Sequence, residues 1–322
     1  MYHATLTEFC RRYALPDEAL QSLRRDLDAL LAGPDGAAFA RTVYGYTADP
    51  DWDYQTALAQ AAQMTACGAH SYAVQALFCI ALLPEAKRRW LAAGVPEDVF
   101  YDSMADLSYK LIECKKLHGV WGIFVAFWFD LWYECRRFAL GRLQFELVKA
   151  AKLPFLGDGV TVHGVHVAPE DTVINVHIPS SGHLPHEAVL DAYRRAVRFF
   201  APQLNGHTPV FVCFSGLLWP QQERFLPAHC NVLPFLRDFT ILGSYPDGGA
   251  NLWRLFYIPY RGDPQDIPVR CSADAAWKQW LTDGGLSGVG SGILIWNSTD
   301  DAPYPRDMAV HTDLPARPPE EH

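Results

Sequence analysis

The apolar residues of the first 140 positions recur with the period of an α-helix. One predicted helix starts after Pro16 and stops at Gly33, and its apolar stripe consists of Leu20, Leu23, Leu27, Leu30 and Leu31. Another starts after Pro96 with two acidic residues and ends with two lysines before Gly119, which suits the helix dipole. Further helices are predicted in the apolar segments 53–70, 71–94 and 121–140. The first part of the chain is therefore predicted to be an all-helical domain, residues 1–140.

After residue 140 the apolar residues alternate with polar ones, which indicates β-strands. The alternation begins at 142–148 (RLQFELV), and 160–167 (VTVHGVHV) predicts a hairpin that turns at His163-Gly164. More strands are predicted at 172–178, 209–214, 252–258 and 292–296, and helices are predicted to begin near Pro185 and at Ser272. This order predicts a mixed α/β domain with a partly antiparallel sheet, residues 141–322, and the class α+β for the whole chain.

Composition and charge exclude several classes of function. A formal net charge of -9 leaves no basic excess to neutralise phosphates, so we expect no nucleic-acid partner. The longest apolar run, 120–129, is too short to span a bilayer, and the N-terminal residues do not resemble a signal peptide. The 8 cysteines include no C-x-x-C pair, which fits reduced thiols. We therefore expect a cytoplasmic protein without a membrane partner.

A short polar loop joins the predicted strand 172–178 to the helix that follows it. Ser180, Ser181 and Gly182 could present backbone N–H groups, two hydroxyls and the positive end of a helix to an anion, such as a phosphate or pyrophosphate. The same composition also suits a simple turn, and Pro185 already explains why a helix starts there. The loop is thus either an anion-binding site or a simple turn between a strand and a helix.

Four segments carry a family resemblance: GRLQFE at 141–146, VINVHIP at 173–179, VFVCFSGLLWP at 210–220 and NVLPF at 231–235. In this order they resemble a bacterial family of acyltransferase-domain proteins, which pair a helical N-terminal domain with a GNAT-like C-terminal domain. The resemblance covers most of the chain. It implies an N-acyltransferase that moves an acyl group from acyl-CoA, its donor substrate, to a small amine acceptor. The usual R/Q-x-x-G-x-G/A pyrophosphate signature is absent, and SSGHL at 180–184 would replace it.

The resemblance also implies where CoA would bind. In GNAT-like folds two neighbouring strands separate, and the acyl-pantetheine arm enters between them. Here those strands would be 173–178 and 210–214. The residues expected to contact CoA are Ile178, Ser180, Ser181, Gly182 and His183.

Acyl transfer to an amine needs a base, a donor to the thioester oxygen and an acid for the leaving thiolate. Asn175 and His177 share one face of their strand, and His177 is the candidate base because imidazole titrates near neutrality. The alternative is a hydrogen-bonded structural histidine. Ser215 is the third catalytic candidate, whereas Cys213 is expected to be a packed thiol and Glu146 a solvated carboxylate.

Other functions fit the sequence less well. No metal is expected, because the histidines have no carboxylate or cysteine at ligand spacing. A hydrolase is disfavoured, because no G-x-S-x-G motif surrounds Ser215. The main alternative is a non-catalytic GNAT-like protein that binds a ligand or a partner, with the helical domain as its contact surface.

Overall fold

The computed structural model describes residues 1–308 of the 322-residue chain. The chain divides into two compact units, a first one of Met1–Ala139 and a second one that begins at Leu140. Among the described residues no helix is both long and apolar enough to cross a membrane.

The first unit is built from α-helices. They are α1 (Tyr2–Arg12), α2 (Asp17–Ala32), α3 (Gly36–Ala48), α4 (Tyr54–Ala62), α5 (Ser71–Ala92), α6 (Glu97–His118) and α7 (Asp130–Tyr133). The leucine stripe of α2 is largely buried, at Leu23, Leu27 and Leu30. Helix α6 ends at Gly119, which adopts φ +74° and so the left-handed conformation that favours glycine.

The aromatic segment 121–140 does not form the single helix that the sequence predicts. It contains a short 3-10 turn at Ala126–Phe129, the one-turn helix α7 and the strand β1 (Arg137–Leu140). The segment is nevertheless part of the core, because Phe129 and Trp132 have no exposed surface. The helix stops because Cys135 adopts φ +59°, and bulky aromatic residues favour helices only weakly.

The second unit contains the sheet. Its strands are β2 (Leu143–Lys149), β3 (Val160–Val162), β4 (Val165–Val167), β5 (Thr172–His177), β6 (Val210–Ser215), β7 (Thr240–Pro246), β8 (Gly288–Asn297) and β9 (Ala302–Pro303). Its helices are α8 (His186–Leu204), α9 (Gln222–Phe225), α10 (Val232–Arg237), α11 (Leu252–Phe256) and α12 (Ser272–Thr282). The order in the sheet is β2-β5-β6-β8-β7, and β9 adds to β8. Strands β5 and β6 are parallel, and the other neighbours are antiparallel.

The two faces of this sheet are covered by different elements. On one face Tyr193 of α8 packs against Phe145 and Phe211. On the other face a hydrophobic cluster joins the sheet to the β3–β4 hairpin, for example through Val162 and Val212. The hairpin turns at His163-Gly164 as predicted, and both residues have positive φ.

Two predictions about strands in this unit are wrong. Residues 252–258 were expected to form a strand but contain α11, because the Asp247 carboxylate accepts hydrogen bonds from the N–H groups of Gly249 and Asn251 and starts a helical turn. Strand β7 was missed, since a bulge between Ile241 and Gly243 interrupts its alternation. The predicted class, a helical region followed by a mixed α/β domain, is nevertheless confirmed.

Candidate active site

Strands β5 and β6 are paired along only part of their length. The register joins them at two positions, the second of which is Asn175 opposite Val212. Beyond that position β5 stays paired with β2 as far as His177, and β6 stays paired with β8 as far as Ser215. Each strand therefore follows its outer neighbour, and a gap opens between the carboxyl ends of β5 and β6.

Three polar side chains meet beside this gap. Glu146 of β2 lies directly opposite Asn175, and His177 follows two residues later on the same face of the sheet. The Glu146 Oε1 atom accepts a hydrogen bond of 2.9 Å from Asn175 Nδ2 and lies 3.1 Å from His177 Nε2. The side chains of His177 and Glu146 are only 17% and 10% exposed. The carboxylate and the imidazole are therefore held together in a largely dry place.

The contact with Glu146 determines which nitrogen of the neutral His177 imidazole carries the hydrogen. A carboxylate oxygen only accepts hydrogen bonds, so Nε2 must carry the hydrogen of the 3.1 Å bond. In the neutral imidazole Nδ1 is then the basic nitrogen. When Nδ1 takes up a proton, the Glu146 carboxylate stabilises the imidazolium that forms. The 3.3 Å approach of Asn175 Nδ2 to His177 Nε2 is then a contact between two N–H groups and not a hydrogen bond.

Glu146 was not predicted as a functional residue. Because Glu146 alternates with Phe145, the two side chains lie on opposite faces of the strand. The sequence therefore predicts that the Glu146 carboxylate is solvated. The structure buries that side chain, at 7% residue exposure. The available signal was the pairing of strands 142–148 and 172–178, which could have placed Glu146 near Asn175 had the register been known.

The predicted CoA-binding residues lie on the loop between β5 and α8. Ser181, Gly182 and His183 are exposed, whereas Ile178 and Ser180 are half-buried. Gly182 has φ +100°, which a residue with a side chain rarely adopts.

One arginine organises this loop. The Nε atom of Arg142 donates to the carbonyl of His183 (2.7 Å), Nη1 donates to that of Pro179 (3.1 Å), and Nη2 donates to that of Gly182 (2.8 Å). The guanidinium thus binds three carbonyls of a loop that lies about 40 residues further along the chain. Nothing in the local sequence of the loop predicts this partner.

The first turn of α8 is tethered by an ion pair. His186 Nε2 lies 2.8 Å from Oδ1 of Asp238, the residue that follows α10. This hydrogen bond raises the pKa of His186. Burial raises the pKa of Asp238 by more than the hydrogen bond to His186 lowers it. The pair fixes the start of the helix directly behind the loop.

Ser215 does not join the Glu146–Asn175–His177 cluster. Because Val212 lies beside Asn175, the alternation along β6 places Ser215 on the opposite face of the sheet. Its Oγ accepts a hydrogen bond from the backbone N–H of Leu217 and caps a 3-10 turn.

Cys213 is fully buried, and burial raises the pKa of its thiol, as expected for a packed cysteine. Among residues 1–308 no three His, Cys, Asp or Glu side chains are grouped so that they could hold a metal ion.

Two family models match this chain in succession. The N-acyltransferase N-terminal domain matches residues 4–135, and the GNAT-like C-terminal domain matches residues 138–294. The chain belongs to the N-acyltransferase family with a GNAT-like C-terminal domain. The family resemblance and the fold predicted from the sequence are confirmed, and family membership supports acyl-CoA-dependent N-acyl transfer. No curated protein matches the sequence.

Several solved acyltransferases share the fold. One, in complex with decanoyl-CoA and teicoplanin, superposes with a TM-score of 0.67 at 20% identity, over 90% of this chain and 87% of that one. A second, in complex with CoA and 10C-teicoplanin, has a TM-score of 0.62 at 20% identity, over 89% and 86% of the two chains. A third, in complex with decanoyl-CoA, has a TM-score of 0.58 at 21% identity, over 89% and 98%.

Proposed function

We propose that this protein transfers an acyl group from acyl-CoA to an amine. The proposal rests on one observation above all: in a GNAT-like domain, strands β5 and β6 separate beyond Asn175, and a carboxylate-bound histidine lies at the edge of the gap. A gap between parallel strands offers backbone groups to an extended ligand. An acyl-pantetheine arm is a ligand of that kind.

The nucleotide end of CoA is proposed to bind at the loop that follows β5. Ile178, which follows the last residue of β5, is proposed to lie along the pantetheine arm. Ser180, Ser181, Gly182 and His183, which precede α8, are proposed to bind the pyrophosphate. The helix dipole favours a negative charge there by about 0.3–1 kcal/mol at an exposed site. Hydrogen bonds must therefore provide most of the binding energy.

The chemistry proposed for His177 is general base catalysis. The amine nitrogen attacks the thioester carbonyl carbon, and Nδ1 of His177 accepts the proton that the amine loses. Glu146 stabilises the resulting imidazolium, and Asn175 keeps the carboxylate in place through its 2.9 Å hydrogen bond. The carbon–sulfur bond then breaks, and CoA leaves as a thiolate that takes up a proton. The proton held by the His177 imidazolium balances this step, because a serine hydroxyl is a weaker acid than a thiol. Ser215, the third catalytic candidate, lies on the opposite face of the sheet, where its Oγ accepts from Leu217 N–H.

The substrate class is proposed from the structural relatives. Their complexes contain decanoyl-CoA, or CoA with 10C-teicoplanin. We therefore propose an acyl-CoA donor, with chain lengths up to decanoyl among the first to test. The proposed acceptor is a small amine, which is the acceptor class expected from the sequence. The proposed location is the cytoplasm, since all eight cysteines are free thiols.

The proposal is tested by the release of free CoA thiol from acyl-CoAs of increasing chain length in the presence of a panel of amines. Wild-type protein should release CoA only when an amine is present, and mass spectrometry should find the matching amide. His177→Ala should lower kcat by about 10²–10⁴-fold, the usual contribution of a general base, while circular dichroism shows an intact fold. Binding of acyl-CoA without turnover for any amine would instead favour the non-catalytic GNAT-like protein, and unchanged activity in His177→Ala would remove this histidine from the mechanism.

A further inference from the structure

The three hydrogen bonds of Arg142 determine how the loop presents its backbone. They use Nε, Nη1 and Nη2, so every nitrogen of the guanidinium binds a loop carbonyl. The three carbonyls belong to Pro179, Gly182 and His183. The negative ends of three peptide dipoles are therefore turned toward Arg142.

The opposite ends of these peptides are the N–H groups of the following residues. In a planar trans peptide the C=O of one residue and the N–H of the next point in opposite directions. The N–H groups of Ser180, His183 and Leu184 are therefore directed away from Arg142. Within residues 1–308 the N–H groups of His183 and Leu184 have no hydrogen-bond partner.

We propose that Arg142 is the positioning residue of the CoA-binding loop, which aims the N–H groups of Ser180, His183 and Leu184 at the CoA phosphates. This inference rests on the proposed function and deepens it. It identifies the backbone N–H groups of Ser180, His183 and Leu184, and not those of Ser181 and Gly182, as the main hydrogen-bond donors to the phosphates. It also assigns a role to a residue that lies outside the loop and outside the chemistry of acyl transfer.

The role is specific for a guanidinium. Three carbonyls around one group require the planar, forked donors of arginine, whereas a lysine ammonium is a compact charge on a flexible stem. In Arg142→Ala the three carbonyls lose their charged partner, and nothing prevents one of them from turning toward the phosphates. Binding of the phosphates should then weaken, while the pantetheine arm, which contacts the strands, should bind as before.

Calorimetry with CoA and with pantetheine tests this inference. Wild-type protein should bind CoA more tightly than pantetheine. Arg142→Ala should weaken CoA binding by about ten-fold or more, as the loss of charge-assisted hydrogen bonds implies, and leave pantetheine binding unchanged. Arg142→Lys should restore only part of the CoA affinity. Arg224→Ala, which removes an exposed arginine of the same unit, is the matched control and should bind both ligands like the wild type.

Kinetics separate a positioning role from a general loss of structure. For Arg142→Ala we expect a raised KM for acyl-CoA with an unchanged kcat, and an unchanged KM for the corresponding acyl-pantetheine. Equal losses for both donors would overturn the inference, because they would indicate damage to the whole site.

Amide NMR of the wild-type protein provides a test that needs no variant. CoA should shift the amide signals of His183 and Leu184, and pantetheine should not. Shifts confined to Ser181 and Gly182 would overturn the inference but keep the phosphate site. A wild-type protein with no preference for CoA over pantetheine would contradict the phosphate site of the proposed function itself, whereas a preference that persists in Arg142→Ala would contradict only the role of Arg142.

Discussion

Single residues acquire their roles here through partners that are distant in sequence. His177 and Glu146 are 31 residues apart, and the antiparallel register of β2 and β5 brings their side chains to 3.1 Å. The imidazole alone would be an ordinary polar group at a strand end. With the carboxylate on Nε2, its other nitrogen becomes the acceptor of a proton, and the charge that forms is compensated nearby.

Glu146→Gln tests this compensation at constant side-chain size. We expect kcat to fall by about 10-fold to 100-fold, less than for removal of the base itself, because the base remains but its charged form loses the carboxylate. The KM for acyl-CoA should stay unchanged, since Glu146 lies outside the loop that is proposed to bind CoA. Steady-state kinetics with one acyl-CoA and a saturating amine measure both parameters. A raised KM with an unchanged kcat would show that Glu146 acts on binding and not on the proton transfer.

At the scale of elements, the connection from β5 to α8 combines a glycine turn, an arginine and an ion pair. Gly182 supplies a backbone conformation with φ +100°, Arg142 binds the carbonyls of the loop, and His186 ties the first helical turn to Asp238. Each of these contacts fixes a different part of a loop that is otherwise exposed. The loop is therefore shaped before any ligand binds, which lowers the entropic cost of binding.

Gly182→Val should weaken CoA binding more than Ser180→Ala does. An added Cβ at Gly182 meets nothing within 4 Å, so the cause is not a steric clash within the protein. The cause is the backbone, because φ +100° is strained for a β-branched residue by about 1–3 kcal/mol and the loop would relax to another shape. Calorimetric dissociation constants for CoA compare the two variants. Equal affinities would show that the conformation of Gly182 does not matter for binding.

The His186–Asp238 pair should make stability depend on pH. Because Asp238 raises the pKa of His186, the stabilisation is fully present below the ordinary histidine range and is lost as the pH rises through the raised pKa. The His186 side chain is 35% exposed, so the effect should be on the order of 1 kcal/mol or less.

Urea unfolding at pH 6 and at pH 8.5 measures this effect. The difference in the free energy of unfolding between wild type and His186→Gln should be larger at pH 6. Asp238→Asn, which removes the acceptor charge, should show the same reduced dependence on pH. A difference that grows toward pH 8.5 would contradict the sign of the shift.

At the scale of the whole molecule, burial separates the cysteines into unreactive and reactive groups. Cys10, Cys79, Cys114 and Cys213 are buried, and Cys271 is exposed. Burial raises the pKa of Cys10 and Cys114 to about 11 and that of Cys79 to about 12. Since the thiolate is the reactive form, these buried thiols should not react in the folded protein.

A thiol reagent such as DTNB should therefore modify the native protein first at Cys271. Cys271→Ser should remove the fastest phase, and full unfolding should make all eight thiols reactive. The measurement also gives the background that must be subtracted when CoA release is followed with the same reagent. Rapid modification of Cys79 or Cys213 in the folded protein would show that these sites open to solvent.

The sequence by itself determined the features that depend on local chemistry. The period of the leucines specified α2, and proline and acidic residues specified the start of α6. The His163-Gly164 pair between two short alternating segments specified the hairpin. Local patterns predicted the wrong structure in two segments. Residues 121–140 were predicted to be one helix, which a turn interrupts, and residues 252–258 were predicted to be a strand but contain α11.

Only the tertiary structure decided which residues form the site. The sequence placed Asn175, His177 and the loop 180–183 near one another, because they follow one another along a single strand and turn. It could not supply Glu146 or Arg142, nor place Ser215 on the opposite face of the sheet, since these depend on the register between strands that are far apart in the chain. A shift of that register by one residue would turn every side chain of β2 to the other face, so the carboxylate beside His177 exists only in the folded sheet.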